Sequence, residues 1–176
     1  MKKILTLIIM LLVLSPMMVS AKEDKKVTVY VFYGETCPHC HELFKFLDSI
    51  DKEYGKYYQL KKIETWNDSL NKEMMFETAE SIEVEYNKAD MGVPYIVIND
   101  QTFIGYAPSF NSKIQDAIKS AYEDDNYTDR VIDIYNKYEK RRKNEKIMYY
   151  SSIIGLVFIT CVAVYIKEKK DLKFAK

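Results

Sequence analysis

The run from Ile147 to Ile166 (IMYYSSIIGLVFITCVAVYI) holds twenty residues without a charge. At helical rise it spans a hydrocarbon core about 30 Å thick, which predicts a single transmembrane helix over residues 147–166. Tyr149, Tyr150 and Tyr165 sit where an aromatic belt belongs, and residues 167–176 form a basic tail. A second apolar stretch opens the chain. Lys2 and Lys3 precede an apolar run from Ile4 to Leu14, and Val19-Ser20-Ala21 supplies small residues for cleavage. That pattern predicts a secretory signal peptide over residues 1–21. Six basic residues lie in the ten before the span and five follow it, so charge alone leaves its orientation open. The signal peptide decides it, with the domain outside the cytoplasm and the tail inside.

Between the two apolar runs lie 125 residues, Lys22 to Lys146, enough for one core of ordinary size. The chain as a whole has no net charge, but that zero is a sum over compartments. Lys22 to Asn136 carries 13 basic and 22 acidic residues, a net charge of −9. Lys137 to Lys146 carries +4, suited to anionic lipid headgroups. An acidic exported domain excludes nucleic acid as a partner. With 23 Lys against three Arg, the composition points to an AT-rich bacterial genome, in which the sequons at Asn67 and Asn126 mean nothing.

Val27–Tyr33 (VTVYVFY) is β-branched and aromatic without alternation, as in a central strand buried on both faces. From Glu35 to Tyr54 the spacing turns helical, with Leu43, Phe46, Leu47, Ile50 and Tyr54 on one stripe. A second strand is predicted over Tyr57–Thr65, then a helix capped by Asn67 or Ser69 and running through Leu70, Met74 and Ala79 towards Asp90. Pro94 starts the strand Tyr95–Ile98, and Asn99-Asp100 turns into Thr102–Ile104. Pro108 to Asn111 opens a helix to Tyr122, with Ile114, Ala117, Ile118 and Tyr122 inward. Thr128 caps a last helix that runs into the membrane span. The order β-α-β-α-β-β-α plus a C-terminal helix predicts an α/β fold, a small sheet with helices on both faces. Residues 22–126 form the domain and 127–146 a charged juxtamembrane helix.

The chemistry lies in Cys37-Pro38-His39-Cys40, two thiols at i and i+3 where a strand feeds a helix. Backbone N–H groups and the helix dipole favour a thiolate at the helix N-terminus, so Cys37 is the candidate exposed nucleophile with a pKa below the free value of roughly 8.5. Cys40, one turn on, is the candidate buried resolving thiol. Pro38 costs no hydrogen bond at the first helical position, and His39 adds to the stabilisation of the thiolate.

These residues resemble the thioredoxin superfamily over most of Val27 to Tyr122. FYGETCPHC is similar to the active-site loop of DsbA-type exported disulfide oxidases. VPYIVINDQTFIGY is similar to the second half of glutaredoxins. The resemblance implies a thioredoxin-like fold in which Val93-Pro94 is a cis-proline loop facing the dithiol. It implies Cys37 and Cys40 as the catalytic pair forming a redox-active disulfide, Pro38 and His39 as tuning residues, and Val93 and Pro94 as substrate-positioning. Two departures stand out. Val31 replaces the buried acid that such enzymes carry six residues before the first Cys, which leaves Glu35 or water to move the proton of Cys40. Tyr106-Ala107-Pro108 follows Gly105 where glutaredoxins place glutathione-binding residues.

Cys37 to His41 also spells C-x-x-C-H, a haem-attachment pattern, but such loops do not usually follow a buried strand and precede a hairpin of this kind. Zinc lacks a second ligand pair. His41 is expected in solvent, Trp66 in packing or at the surface, and Cys161 on the membrane span. The expected protein is therefore a membrane-anchored, extracytoplasmic thiol-disulfide oxidoreductase needing no metal or organic cofactor. It would act on the thiols or disulfides of exported proteins, leaning towards oxidation, with a membrane redox partner. The alternatives are a thiol reductase on the same side and a non-enzymatic redox switch.

Overall fold

The computed structural model describes residues 26–82 and 91–174. The predicted signal peptide and the continuation of the second helix to Asp90 lie outside them. Four strands form one sheet in the order β2-β1-β3-β4: β1 Val27–Tyr33, β2 Tyr58–Glu64, β3 Tyr95–Ile98 and β4 Gln101–Ile104. β1 runs parallel to β2 and antiparallel to β3, and β3 pairs antiparallel with β4. Asn99 takes the left-handed conformation, with φ of 57°, at the β3–β4 turn, where Asn is favoured among side-chain-bearing residues.

The central strand explains its own composition. Val27, Val29 and Val31 face one side of the sheet and pack under α1 (Pro38–Tyr54) and α3 (Asn111–Glu123). Tyr30 and Phe32 face the other, against α2 (Ser69–Ser81) and the start of α4 (Ile132–Phe174). A strand covered on both faces has no solvent side on which to place polar residues. Leu43 and Leu47 anchor α1; Ile114, Ala117, Ile118 and Ala121 anchor α3.

Three local expectations are corrected. The α2 cap is Asp68, between the two candidates, its carboxylate accepting from Asn71 N at 3.0 Å. Carboxylate and hydroxyl caps are close in strength, so residue type alone does not separate three adjacent candidates. Ala121 rather than Tyr122 fills the inward position on α3, while Tyr122 packs its ring on Tyr57 at the margin of the core. The last helix starts at Ile132, not at Thr128: the Asp129 carboxylate accepts from Val131 N at 3.1 Å and also receives the Tyr30 hydroxyl at 2.8 Å.

α4 is a single 43-residue helix. Its first part belongs to the domain, burying Tyr138 and, in the turn just before it, Val131 among Met74, Met75 and Ala79 of α2. Beyond it, Ile147, Met148, Ile154, Leu156 and Phe158 are each more than half exposed. The segment 132–163 contains a stretch long and apolar enough to cross a membrane, with mean hydropathy 1.7.

Candidate active site

The site forms where β1 and β2, running parallel, both end. β1 stops at Tyr33, in register with Glu64 at the end of β2. Cys37 N donates to Gly34 O at 3.1 Å, closing a turn that delivers Cys37 to the start of α1. Cys37 is extended, with φ −75° and ψ 114°, and is the helix cap; its Sγ accepts from Cys40 N at 3.2 Å. The cap position usually filled by a hydroxyl or carboxylate oxygen is filled here by the Cys37 sulfur. Negative charge on that sulfur after reduction would meet both the Cys40 N–H and the positive end of the helix dipole.

Cys37 and Cys40 are joined as a disulfide. Cys40 is fully buried, as expected. Cys37 is only 4% exposed, more enclosed than the exposed nucleophile expected from position, because the Val93–Pro94 loop lies over it. Cys37 Sγ is 3.7 Å from Val93 O, and the Val93–Pro94 peptide is cis. Gly105, with φ of +76°, donates its N–H to Pro94 O at 2.8 Å and holds that loop in place. Segments 53 residues apart in the chain, Cys40 and Val93, thus meet at one pair of sulfurs.

The fold is thioredoxin-like. The topology and the opposed Cys37–Cys40 and Val93–Pro94 loops carry that statement. Among solved structures, the germline-specific thioredoxin Deadhead of Drosophila melanogaster is similar at 18% identity and a TM-score of 0.33, covering 55% of this chain and 82% of that chain. No family model matches the sequence, and no curated protein does.

The remaining predicted residues divide. Pro38 takes the first helical position. His39 is exposed, and its Nδ1 lies 3.6 Å from Glu42 Oε2, an ion pair when the ring is protonated. Val31 is fully buried. Glu35, offered as a proton route, is exposed and accepts from Asn67 Nδ2 at 3.0 Å. Among the described residues the buried polar side chains are Thr28, Thr65 and Thr78, so no carboxylate is buried beside Cys40. Tyr106 is buried and donates to Asn111 Oδ1 at 2.7 Å, a structural tie where glutaredoxins bind glutathione. Among the described residues no three His, Cys, Asp or Glu side chains gather as a metal site.

Trp66, expected in packing or at the surface, does both, and does so beside the site. Trp66 lies over Gly34 so closely that any Cβ there would enter the indole ring, yet 55% of Trp66 is exposed. The Glu64 carboxylate accepts from both Trp66 N and Asn67 N, at 2.8 and 2.9 Å, and Thr65 N donates to Tyr33 O at 2.9 Å. A signal existed: adjacent parallel strands end side by side, so residues following β1 and β2 share the edge where α/β sites form.

Proposed function

We propose that this protein is a membrane-anchored thiol-disulfide oxidoreductase working outside the cytoplasm, through Cys37 and Cys40. The observation that carries the reading is the joined sulfur pair at the start of α1, with Cys37 Sγ facing Val93 O across the cis-proline loop. A thiolate on the substrate attacks Cys37 Sγ, the bond to Cys40 breaks, and Cys40 departs as thiolate. The substrate's second thiolate then attacks its own sulfur in the mixed disulfide, releasing Cys37. The substrate loses two electrons and two protons, and the Cys37/Cys40 pair takes them up. The reverse sequence is reduction. Val93 offers a backbone carbonyl to the approaching chain, which supports a short β-type pairing.

The CPHC sequence and the capping role of Cys37 Sγ favour oxidation, because both stabilise the reduced pair and so make its disulfide the stronger oxidant. Full-length protein in detergent should oxidise a reduced, unfolded model protein with turnover, and a Cys37→Ser variant should lose that activity. Absence of turnover in either direction would leave the redox-switch reading in its place. The reduction potential sets the direction: near about −120 mV for an oxidase, near about −270 mV for a reductase.

A further inference from the structure

We propose that the dithiol works at the lipid surface, on a cysteine pair that an integral membrane protein presents at headgroup level. This rests on the exchange reading above and on α4 crossing the bilayer. The direction of α4 carries it. Along α4, Tyr138 donates its hydroxyl to Glu77 at 2.9 Å, Arg141 meets Glu73 at 2.8 Å, and Arg142 meets Asp68 and Asn71. The partner numbers fall as the α4 numbers rise, so α4 runs antiparallel to α2. Just before α4, Tyr127 and Asp129 bond Thr28 and Tyr30 in the first half of β1, whereas Asn71, which meets Arg142, donates to Glu64 O at the end of β2, so α4 points the way β1 and β2 point. Their C-terminal ends, where Cys37 sits, are the end nearest the membrane span.

The distance is short. Arg142 is five residues before Ile147, about 7.5 Å of helical rise. A cleft of about 400 Å³ lies between the loop that starts α2 and the helix, lined by Asn67, Leu70, Arg142, Lys146, Tyr149 and Tyr150. The loop therefore already reaches the aromatic positions at the mouth of the apolar run. Asn67 also bonds Glu35, two residues from Cys37. The sulfur pair thus stands at the edge of the domain from which the apolar helix departs. Tyr138 and the preceding Val131, buried against Met74, Met75 and Ala79 of α2, fix α4 to the domain, and the helix continues without a break. A soluble substrate has to enter between the site and the lipid, whereas a cysteine pair just outside a neighbouring span is already at the right height. Half-exposed Trp66 beside the loop suits the same interface, where indoles accumulate.

The test uses the full chain in vesicles of phosphatidylcholine and phosphatidylglycerol. Two single-span peptides serve as probes. One carries a Cys-x-x-Cys pair two residues outside its apolar run; the other lifts the pair on a rigid helical spacer of about 30 Å. The disulfide form should oxidise the low pair at least tenfold faster than the lifted pair. Inserting eight Gly/Ser residues after Lys146 should erase that preference while leaving reduction by dithiothreitol unchanged. Equal rates for the two peptides with the uninterrupted chain overturn the proposal. If dithiothreitol cannot cycle the Cys37–Cys40 pair, the exchange reading itself fails. Placement is then decided separately by Trp66, the chain's one tryptophan. Headgroup-spin-labelled lipid should quench at least half its emission, and unquenched emission overturns the placement whatever the redox chemistry.

Discussion

Cys37 combines two jobs that helix starts usually divide, since its sulfur is both the cap of α1 and the atom facing Val93 O. A Cys40→Ser variant should therefore accumulate mixed disulfides on Cys37, visible as thiol-sensitive adducts on non-reducing gels. Their absence would reverse the assigned roles. Gly34 makes a second residue-level test. Gly34→Ala forces the Trp66 ring off the loop, so it should cost roughly 1–3 kcal/mol of stability by denaturant titration and shift Trp66 emission. An unchanged emission spectrum would count against the packing described. Which cysteines pair was legible in the sequence, because spacing and position specify a dithiol. The place of Trp66 over Gly34 was not, because it depends on the register that sets Tyr33 beside Glu64, and register is a property of two strands at once. The α2 cap was missed for a different reason: Asn67, Asp68 and Ser69 are all competent, and the choice of Asp68 reflects Arg142, 74 residues away.

Between elements, the α2–α4 contact combines burial with charge. Burial supplies most of the energy, because exposed pairs such as Lys137–Glu77 and Arg141–Glu73 contribute about 0–1 kcal/mol each. The charges set the alignment and give it a pH dependence. The hydrogen bond from Lys137, aided by Tyr138, holds the Glu77 carboxyl below its ordinary range despite partial burial. For Asp68, burial pushes the carboxyl upward, but the Arg142 guanidinium and the Asn71 N–H together bring it lower than usual. A depressed folded-state pKa means that the stabilisation is complete above the unfolded values of about 4 and is lost as pH falls through the lower folded ones. Hydrogen exchange in α2 and in residues 132–142 should therefore accelerate below about pH 4 before the sheet opens. Simultaneous exchange throughout would refute that order. Asp68→Ala removes the cap and the ion pair together, and should cost about 1–2 kcal/mol by denaturant titration. The apolar stripes made these helices visible in the sequence; their pairing was hidden because residues 127–146 look like a charged, solvated segment. Val131 and Tyr138 are its buried apolar residues, with Tyr127, Ile134 and Tyr135 packed at the margin of the core.

At the scale of the molecule, the domain is acidic and the helix leaving it is basic, so the neutral total cancels two different surfaces. The full chain should remain with the membrane fraction under alkaline carbonate extraction, while a chain ending at Lys146 should be released, keeping its fold because Val131, Tyr138 and Arg142 all precede that point. Release of the full chain would show that residues 147–166 do not span the bilayer. The continuity of α4 has one more consequence. A helix turns 100° per residue as it rises, so with α4 crossing the bilayer as proposed, the unbroken connection gives the domain an angular phase around the membrane normal as well as a height. One alanine added after Lys146 should swing the reactive edge to a different flank with almost no lift. Four should return it to within about 40° of its first bearing. Exchange with a fixed neighbour in the membrane should then rise and fall with the number of residues added, as a compass needle would, rather than decline steadily with length.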